Sequence, residues 1–228
     1  MKKFWAYISN SQYYVGTTGQ TVYLFDKNEN EIKKFKDIIY GYLPLFSPDG
    51  KIFVVKSTEG RLAVYSLENY SLIKKFRFSK VNGAQDDNFC FSPDSKLLIN
   101  LERHIDSCHS AISVYNTEDF SLIAQIPMRD NMMVDHIEFG EETNEYYILG
   151  FVRGYTLHHF VAKFKDNSLT DIVKIPEEVN DFYRSYLHLK AMGFTEKKYQ
   201  WLPNLKNFEL EKLKNSDYSL ENLHNKYK

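Results

Sequence analysis

Apolar residues recur along the first three quarters of the chain in short β-branched and aromatic runs, each bounded by turn-forming residues. In one stretch the runs lie at 42–47, 51–57, 61–67 and 72–78, and in the next they lie at 88–92, 96–102, 110–116 and 121–127. Runs of this length between polar turns predict antiparallel strands. Since successive residues within each run are apolar, the pattern favours strands that are packed on both faces.

One phrase marks the corresponding point in both stretches. FSPDGK at 46–51 returns as FSPDSK at 91–96, and VYSLENYSLI at 64–73 returns as VYNTEDFSLI at 114–123. A decayed copy precedes them at 17–35, and a copy without Ser-Pro-Asp follows at 136–176. A repeat of about 40–50 residues containing four strands is the unit of a β-propeller. The sequence therefore predicts four such units.

The repeated phrase has the composition of a turn. In Ser47-Pro48-Asp49-Gly50, proline stands at the second position and glycine at the fourth, as a type I turn favours. We interpret it as the connection between the first and second strand of a unit. Together with the apolar strand and the Val-Tyr and Leu-Ile element that follow, it resembles the blades of bacterial WD-repeat-like propellers over residues 4 to about 176. No blade carries the Trp-Asp ending or the Gly-His opening of the eukaryotic family, so the hydrogen-bond network that those residues build is not expected here. Because many unrelated propellers, enzymatic and not, share the phrase, it specifies a fold better than a function.

The predicted fold is thus all-β and propeller-like, with about four four-stranded antiparallel blades. They form a domain at 1–176, with blades near 4–37, 41–78, 87–128 and 133–176. Four blades are the smallest number typical of propellers. Three arrangements stay open: a closed small ring, an open arc, and half of a dimeric ring. The protein is accordingly expected to be a monomer or a homodimer.

Residues 177–228 have a different pattern, with apolar residues at helical spacing. They predict a C-terminal helical extension that packs on the propeller, and the alternative is a helix dedicated to a partner. Gly193 is expected to close the first helix, and Ser216 or Asp217 to cap the last one.

Charge and cysteine content narrow the functional classes. Lys and Arg number 29 and Asp and Glu number 30, so no overall field favours nucleic acid or an anionic membrane. The two cysteines, Cys90 and Cys108, make neither a disulfide framework nor a C-x-x-C pair, which favours a reducing compartment. No run approaches the roughly 18 apolar residues of a membrane helix, and no cleavage site follows the first apolar run. The sequence predicts a cytoplasmic protein.

Strand order locates the candidate site. If strands alternate in direction, the loops after the second and fourth strand of each unit emerge at one end, and the Ser-Pro-Asp turns emerge at the other. The first set comprises the long loops at 37–42, 79–88, 102–110, 128–135 and 152–156. Function on such scaffolds usually lies in loops. The candidate partner-binding residues are Tyr40, Asp86, Asp87, Arg103, His104, Asp106, His109, Arg129, Asp130, Arg153 and Tyr155.

The composition of these loops favours a protein partner. Mixed charge with Arg, Tyr and Met, including Met132 and Met133, is typical of protein-binding surfaces. The sequence therefore predicts a non-enzymatic protein–protein interaction module without a cofactor, and a more specific version is an immunity or antitoxin-like protein. The alternative is an enzyme or small-ligand binder with its site at the central mouth of the propeller.

A zinc site is a further hypothesis for the loop at 102–110. His104, Cys108 and His109 carry side chains of the kind that bind zinc. Their spacing, H-x-x-x-C-H, matches no standard zinc signature.

Overall fold

Antiparallel four-stranded sheets form most of the molecule. The computed structural model describes residues 3–78, 88–104, 109–129, 131–140, 145–154 and 158–228, with the backbone alone at 103, 104 and 109. Within these ranges the strands form four sheets, each a meander of four consecutive strands. A helical region follows the last sheet. This architecture confirms the predicted all-β, propeller-like fold class.

The strands are numbered β1–β16 in chain order. Sheet I contains β1–β4 at Ala6–Ser9, Tyr13–Thr17, Val22–Asp26 and Glu31–Phe35. Sheet II contains β5–β8 at Gly41–Phe46, Ile52–Ser57, Arg61–Ser66 and Leu72–Arg77. Sheet III contains β9–β12 at Phe89–Phe91, Leu97–His104, His109–Asn116 and Leu122–Pro127. Sheet IV contains β13–β16 at Met132–Phe139, Tyr146–Val152, His158–Lys165 and Ser168–Ile175.

Two predicted loops are shorter than the sequence suggested. In the loop predicted at 102–110, the β10–β11 ladder continues until His104 lies opposite His109, so Arg103 is a strand residue too. Strand β13 likewise takes up the second half of the loop predicted after β12, and Met133 is buried there. The prediction of loop residues at these positions was wrong because antiparallel pairing joins backbone groups and tolerates polar side chains.

The chain divides into two compact units, each with two sheets. Unit 1 comprises Met1–Gln85 and His188–Lys214, and unit 2 comprises Asp86–Leu187 and Asn215–Lys228. In unit 1, sheets I and II share a core that includes Val15, Leu24, Phe35, Phe53, Val55 and Tyr65. In unit 2, sheets III and IV share a core that includes Leu101, Ile112, Val134, Ile148 and Phe160. Alternate residues of neighbouring strands supply each core, as the period of a strand requires.

The Ser-Pro-Asp turns share one hydrogen-bond pattern. The Ser47 hydroxyl donates to Asp49 Oδ1 at 2.7 Å and accepts from the amide of Ile52 at 3.1 Å. The serine and aspartate of the second copy make the same contacts. The fourth position is left-handed in both copies, with φ of 69° at Gly50 and 61° at Ser95. The phrase therefore acts as a turn between the first and second strand of sheets II and III.

Helices follow sheet IV. Helix α1 spans Glu177–Ala191, and the chain turns after it with φ of 69° at Gly193, as predicted. The remaining helices in the described part of the chain are α2 at Glu196–Tyr199, a 3-10 turn at Pro203–Leu205, α3 at Leu210–Lys214 and α4 at Leu220–Tyr227. None of the helices among these residues has the length and apolar character needed to cross a membrane.

The cap of α4 differs from the prediction. The hydroxyl of Ser219 accepts from the amide of Asn222 at 3.2 Å, so Ser219 is the N-cap instead of Ser216 or Asp217. A capping hydroxyl has to precede the first helical residue directly to reach the amide three positions on, and the helix begins at Leu220.

Helix α4 lies against sheet IV within unit 2. The Glu138 carboxylate accepts from the amide of Leu220 at 2.9 Å, and Tyr147 donates to Glu221 at 3.3 Å. At the other end of the helix, Lys228 Nζ lies 2.7 Å from a carboxylate oxygen of Asp171. Polar contacts from β13, β14 and β16 thus fix both ends of the helix.

The two turns provide a matched pair of substitutions. A left-handed φ costs a residue with a Cβ about 1 kcal/mol. Since no atom lies within 4 Å of a Cβ added at Gly50, Gly50→Ala is expected to lower the free energy of unfolding by about that amount. Ser95→Gly is expected to raise it similarly. Urea denaturation followed by circular dichroism measures both changes, and a Gly50→Ala protein as stable as the wild type would contradict the assignment.

Docking of α4 is expected to depend on pH. Lys228 beside Asp171 holds the pKa of that carboxyl below its usual range. The contact therefore adds stability above the unfolded-state pKa of about 4, and this stability is lost as pH falls through the lower folded-state value. Asp171→Asn removes this part of the pH dependence.

Hydrogen exchange of the α4 amides between pH 2.5 and 6, an interval of about 3.5 pH units around the ordinary carboxyl pKa, measures the effect. Asp166→Asn is the control, since Asp166 is an exposed turn residue beside the same strand. Identical pH profiles for the two variants would contradict the role of Asp171.

Candidate functional site

The loop between β4 and β5 presents two large side chains to solvent. Ile39 is 48% exposed and Tyr40 is 56% exposed. The preceding residue, Ile38, is buried in the core that sheets I and II share. The buried isoleucine anchors the loop, so the next two side chains project from a fixed point of unit 1.

Hydrogen bonds fix the backbone of this loop. The carbonyl of Ile39 accepts from the Ser57 hydroxyl at 2.6 Å, and the carbonyl of Tyr40 accepts from the amide of Thr58 at 3.2 Å. The amide that follows donates to the carbonyl of Gly19 at 3.1 Å. Tyr40 itself has φ of 53°, which is uncommon for a bulky residue. Such a conformation persists where its surroundings hold it, so the loop is preformed.

A preformed loop with an exposed isoleucine and tyrosine suits a protein partner. Aromatic residues are enriched among those that dominate binding energy. Side chains on a fixed backbone also lose less conformational entropy when they bind. The adjacent turns of β2–β3 and β6–β7 bond to this loop, so the three connections form one surface of unit 1, which we call the Tyr40 surface.

Unit 2 carries exposed arginines where β12 and β14 end. Arg129 follows β12 and Arg153 follows β14, and both are exposed. The amide of Arg153 donates to the carbonyl of Asn131 at 2.8 Å, and the amide of Met132 donates to the carbonyl of Arg129 at 2.9 Å. Two of the arginines predicted as site residues therefore lie on neighbouring connections of one unit.

The other predicted site residues are only partly accounted for. Outside the described residues lie Asp86, Asp87, Asp106, Cys108, Asp130 and Tyr155. His104 and His109 are register partners on β10 and β11, and Arg103 precedes His104 on β10. The zinc hypothesis falls on this hairpin. Elsewhere, among the described residues, no group of three or more His, Cys, Asp and Glu side chains could hold a metal ion.

A buried ion pair of unit 2 was missed by the sequence analysis. Asp135 is fully buried on β13, and its Oδ2 lies 3.2 Å from Nε of Arg184 on α1. The β13–β14 register shifts between Val134 and His136, which leaves Asp135 as the bulged residue. A bulge changes the direction in which a side chain points, so a charged residue can point away from the apolar side chains of its strand. The only signal in the sequence is an aspartate after an apolar run, at the end of the loop predicted at 128–135.

Cys90 has a structural environment. It lies on β9 and packs against the core of unit 2. Burial of the side chain raises the pKa of the thiol well above its ordinary value. Because the thiolate is the reactive form, Cys90 is unsuited to act as a nucleophile.

Comparisons with known proteins match the fold alone. No protein-family model matches the chain, and no curated protein matches it. Among solved structures, hydrazine synthase from Kuenenia stuttgartiensis is similar, with a TM-score of 0.59, 13% identity, and coverage of 72% of this chain and 50% of that chain. A candidate 6-phosphogluconolactonase from Bacteroides uniformis has a TM-score of 0.53, 18% identity, and coverage of 72% and 52%.

The chain spans about half the length of these two structures. Neither is described as a WD-repeat protein, so they support the sheet architecture and leave the family resemblance as a prediction. At such low identity, the likeness assigns neither the activities in their names nor any functional residue to this chain.

Removing Arg184 is expected to destabilise unit 2. Arg184→Gln takes one ion-pair partner from the fully buried Asp135, and the loss of a polar contact to a charged group costs about 1.5–3 kcal/mol. Arg129→Gln is the matched control, because Arg129 is exposed and surface substitutions change stability by less than about 0.5 kcal/mol. Thermal and urea unfolding measure both. Equal stability of the two variants would show that Asp135 does not depend on Arg184.

Proposed function

We propose that the protein is a non-enzymatic protein–protein interaction module that binds a protein partner through the loops at the ends of its sheets. The observation that supports this most directly is the Tyr40 surface. Ile39 and Tyr40 are exposed there on a backbone that hydrogen bonds from two neighbouring connections hold in place. An exposed isoleucine and tyrosine on a fixed loop provide apolar contact area at a small entropic cost.

The exposed arginines of unit 2 support the same proposal. Arg129 and Arg153 lie on neighbouring connections that a backbone hydrogen bond joins. Arginine is enriched in protein interfaces, where its guanidinium pairs with carboxylates and packs on aromatic rings. The two units thus each offer connections whose composition suits a protein partner.

The family and the location are part of the proposal. The turns at 46–51 and 91–96 support a relationship to bacterial WD-repeat-like propellers, since both copies form the same bonded turn between apolar strands. A cytoplasmic location is supported by the two cysteines, which have no disulfide framework around them.

Affinity capture with substituted protein tests the proposal. The wild type and an Ile39→Ser, Tyr40→Asn double variant are used as bait in lysate of the organism that encodes the chain. Asparagine tolerates the left-handed φ at position 40, so the loop backbone is retained. The captured protein is then purified, and its affinity for each bait is measured by calorimetry. We expect the double variant to bind at least about 30-fold more weakly, as loss of a hot spot implies.

Ile73→Ser is the matched control. Ile73 is 51% exposed in the same unit, but it lies on β8 instead of a connection. It should leave the affinity unchanged. A partner that binds the double variant and the wild type equally, or no stoichiometric partner at all, would overturn the proposal.

A further inference from the structure

The most exposed large hydrophobic side chain among the described residues is that of Trp201, at 70%. It lies just after α2, in a segment at 197–208 that we call the Trp201 loop. Phe208, at the far end of the loop, is 39% exposed. Large aromatic side chains gain free energy when they leave water, so folding alone gives no reason to expose two of them on one short loop. The two rings therefore indicate a surface that contacts something outside the chain.

Hydrogen bonds and one buried leucine hold the Trp201 loop in place. Leu205 is fully buried and anchors the middle of the loop. The Tyr199 hydroxyl donates to the carbonyl of Phe208, which joins the two ends. Between them, the amide of Leu202 donates to the carbonyl of Tyr199 at 3.2 Å, and the amide of Leu205 donates to the carbonyl of Leu202 at 3.0 Å. The exposed rings thus belong to a compact loop whose ends lie close together.

The charged residues within the Trp201 loop are all lysines. The loop contains three of them and neither Asp nor Glu. Glu196 directly precedes the loop, and Glu209 and Glu211 follow it. The latter two each pair with the lysine three residues further along the chain, at 3.3 Å and 2.7 Å. The charge of the loop that carries the exposed rings is therefore positive.

Charge is divided unequally between the two units. Unit 1, to which the Trp201 loop belongs, contains 19 Lys and Arg residues and 10 Asp and Glu residues, whereas unit 2 contains 10 and 20. Counting every charged residue, paired or not, their formal charges are +9 and −10. The balance of the whole chain, which argued against an anionic membrane, hides this division. Because salt screens charges that are more than about 10 Å apart, the local charge matters more to a surface than the overall balance.

We propose that the Trp201 loop binds the surface of an anionic lipid membrane. Tryptophan rings are enriched at the boundary between lipid headgroups and acyl chains. Lysines beside such a ring attract anionic headgroups, and their apolar stems pack along the acyl boundary. The cytoplasmic leaflet of a membrane carries anionic lipids, so the contact agrees with the location proposed above. The loop shares no residue with the Tyr40 surface, and the proposal does not depend on a protein partner.

The composition of the loop favours lipid over nucleic acid. Single-stranded nucleic acid is bound by several rings in succession along a positively charged groove. A membrane interface requires no such row, because one inserted ring and nearby lysines act together on a fluid surface. The Trp201 loop has one strongly exposed ring and three lysines, which is the simpler requirement.

Binding to lipid vesicles tests the proposal. Vesicles of equal parts phosphatidylcholine and phosphatidylglycerol are compared with vesicles of phosphatidylcholine alone, by sedimentation of the bound protein at low salt. We expect saturable binding to the anionic vesicles, with an affinity at least about tenfold higher than for the neutral ones. Trp5→Phe leaves Trp201 as the one tryptophan of the chain. Its fluorescence should then shift to shorter wavelength on the anionic vesicles, since the ring leaves water.

Variants of the loop locate the binding. Trp201→Ser and Lys206→Glu are each expected to weaken vesicle binding at least about tenfold, because one removes the inserted ring and the other reverses a charge near the headgroups. Lys27→Glu is the matched control, since Lys27 is an exposed lysine of unit 1 in the turn between β3 and β4. It should leave the affinity within about twofold of the wild type, as expected for a charge away from the lipid. Circular dichroism verifies that all three variants are folded.

Several results would overturn the proposal. They are absence of saturable vesicle binding, equal affinity for neutral and anionic vesicles, and wild-type affinity in Trp201→Ser. Equal weakening by Lys27→Glu and Lys206→Glu would show that the whole unit adsorbs by charge and that the loop is not the site. Tighter binding of a thymidine oligonucleotide than of the anionic vesicles, at the same salt concentration, would assign the loop to nucleic acid instead.

Discussion

The burial of sheet faces is the constraint on which the rest of this structure depends. A four-stranded sheet built from apolar runs has two faces that must be shielded from water. Sheet IV in unit 2 and sheet I in unit 1 shield their second faces in different ways. In unit 2, one face of sheet IV packs against sheet III, and the other receives α4 through Glu138, Tyr147 and Asp171. The helical region at the end of the chain thus belongs to the fold, because without it an apolar sheet face would lie open to water.

Sheet I covers its second face with its own side chains. Phe4, Tyr7 and Tyr14 stack successively, with ring centres 5.1 Å and 5.4 Å apart. Phe4 lies over Gly16, where any Cβ would come within 2.7 Å of its ring. The missing side chain at position 16 therefore makes room for the aromatic one. A row of partly exposed rings reduces the apolar area in contact with water without requiring a second layer.

The sequence was sufficient to predict those features that the chemistry of neighbouring residues determines. Proline at the second position and a left-handed residue at the fourth define the turn at 47–50, so the strands on either side could be located from the turn. The features it missed depend on residues far apart in the chain. Asp135 meets Arg184 only because a bulge turns it out of β13 and α1 returns along sheet IV. No local sequence pattern around either residue predicts this contact. The contact between His159 and Phe151 is likewise not predictable from the residues around them.

The strained tyrosine connects the fold to the proposed surface. A residue with φ of 53° costs free energy that the rest of the molecule has to offset. At Gly50 the chain reaches a similar φ with glycine and avoids this cost, whereas at position 40 it retains a bulky aromatic residue that is more than half exposed. Exposure means that the ring contributes little to the core, so folding alone gives no reason for a tyrosine there. A residue that costs stability and adds little packing is what a binding surface would retain, and this supports the proposed partner contact at the Tyr40 surface.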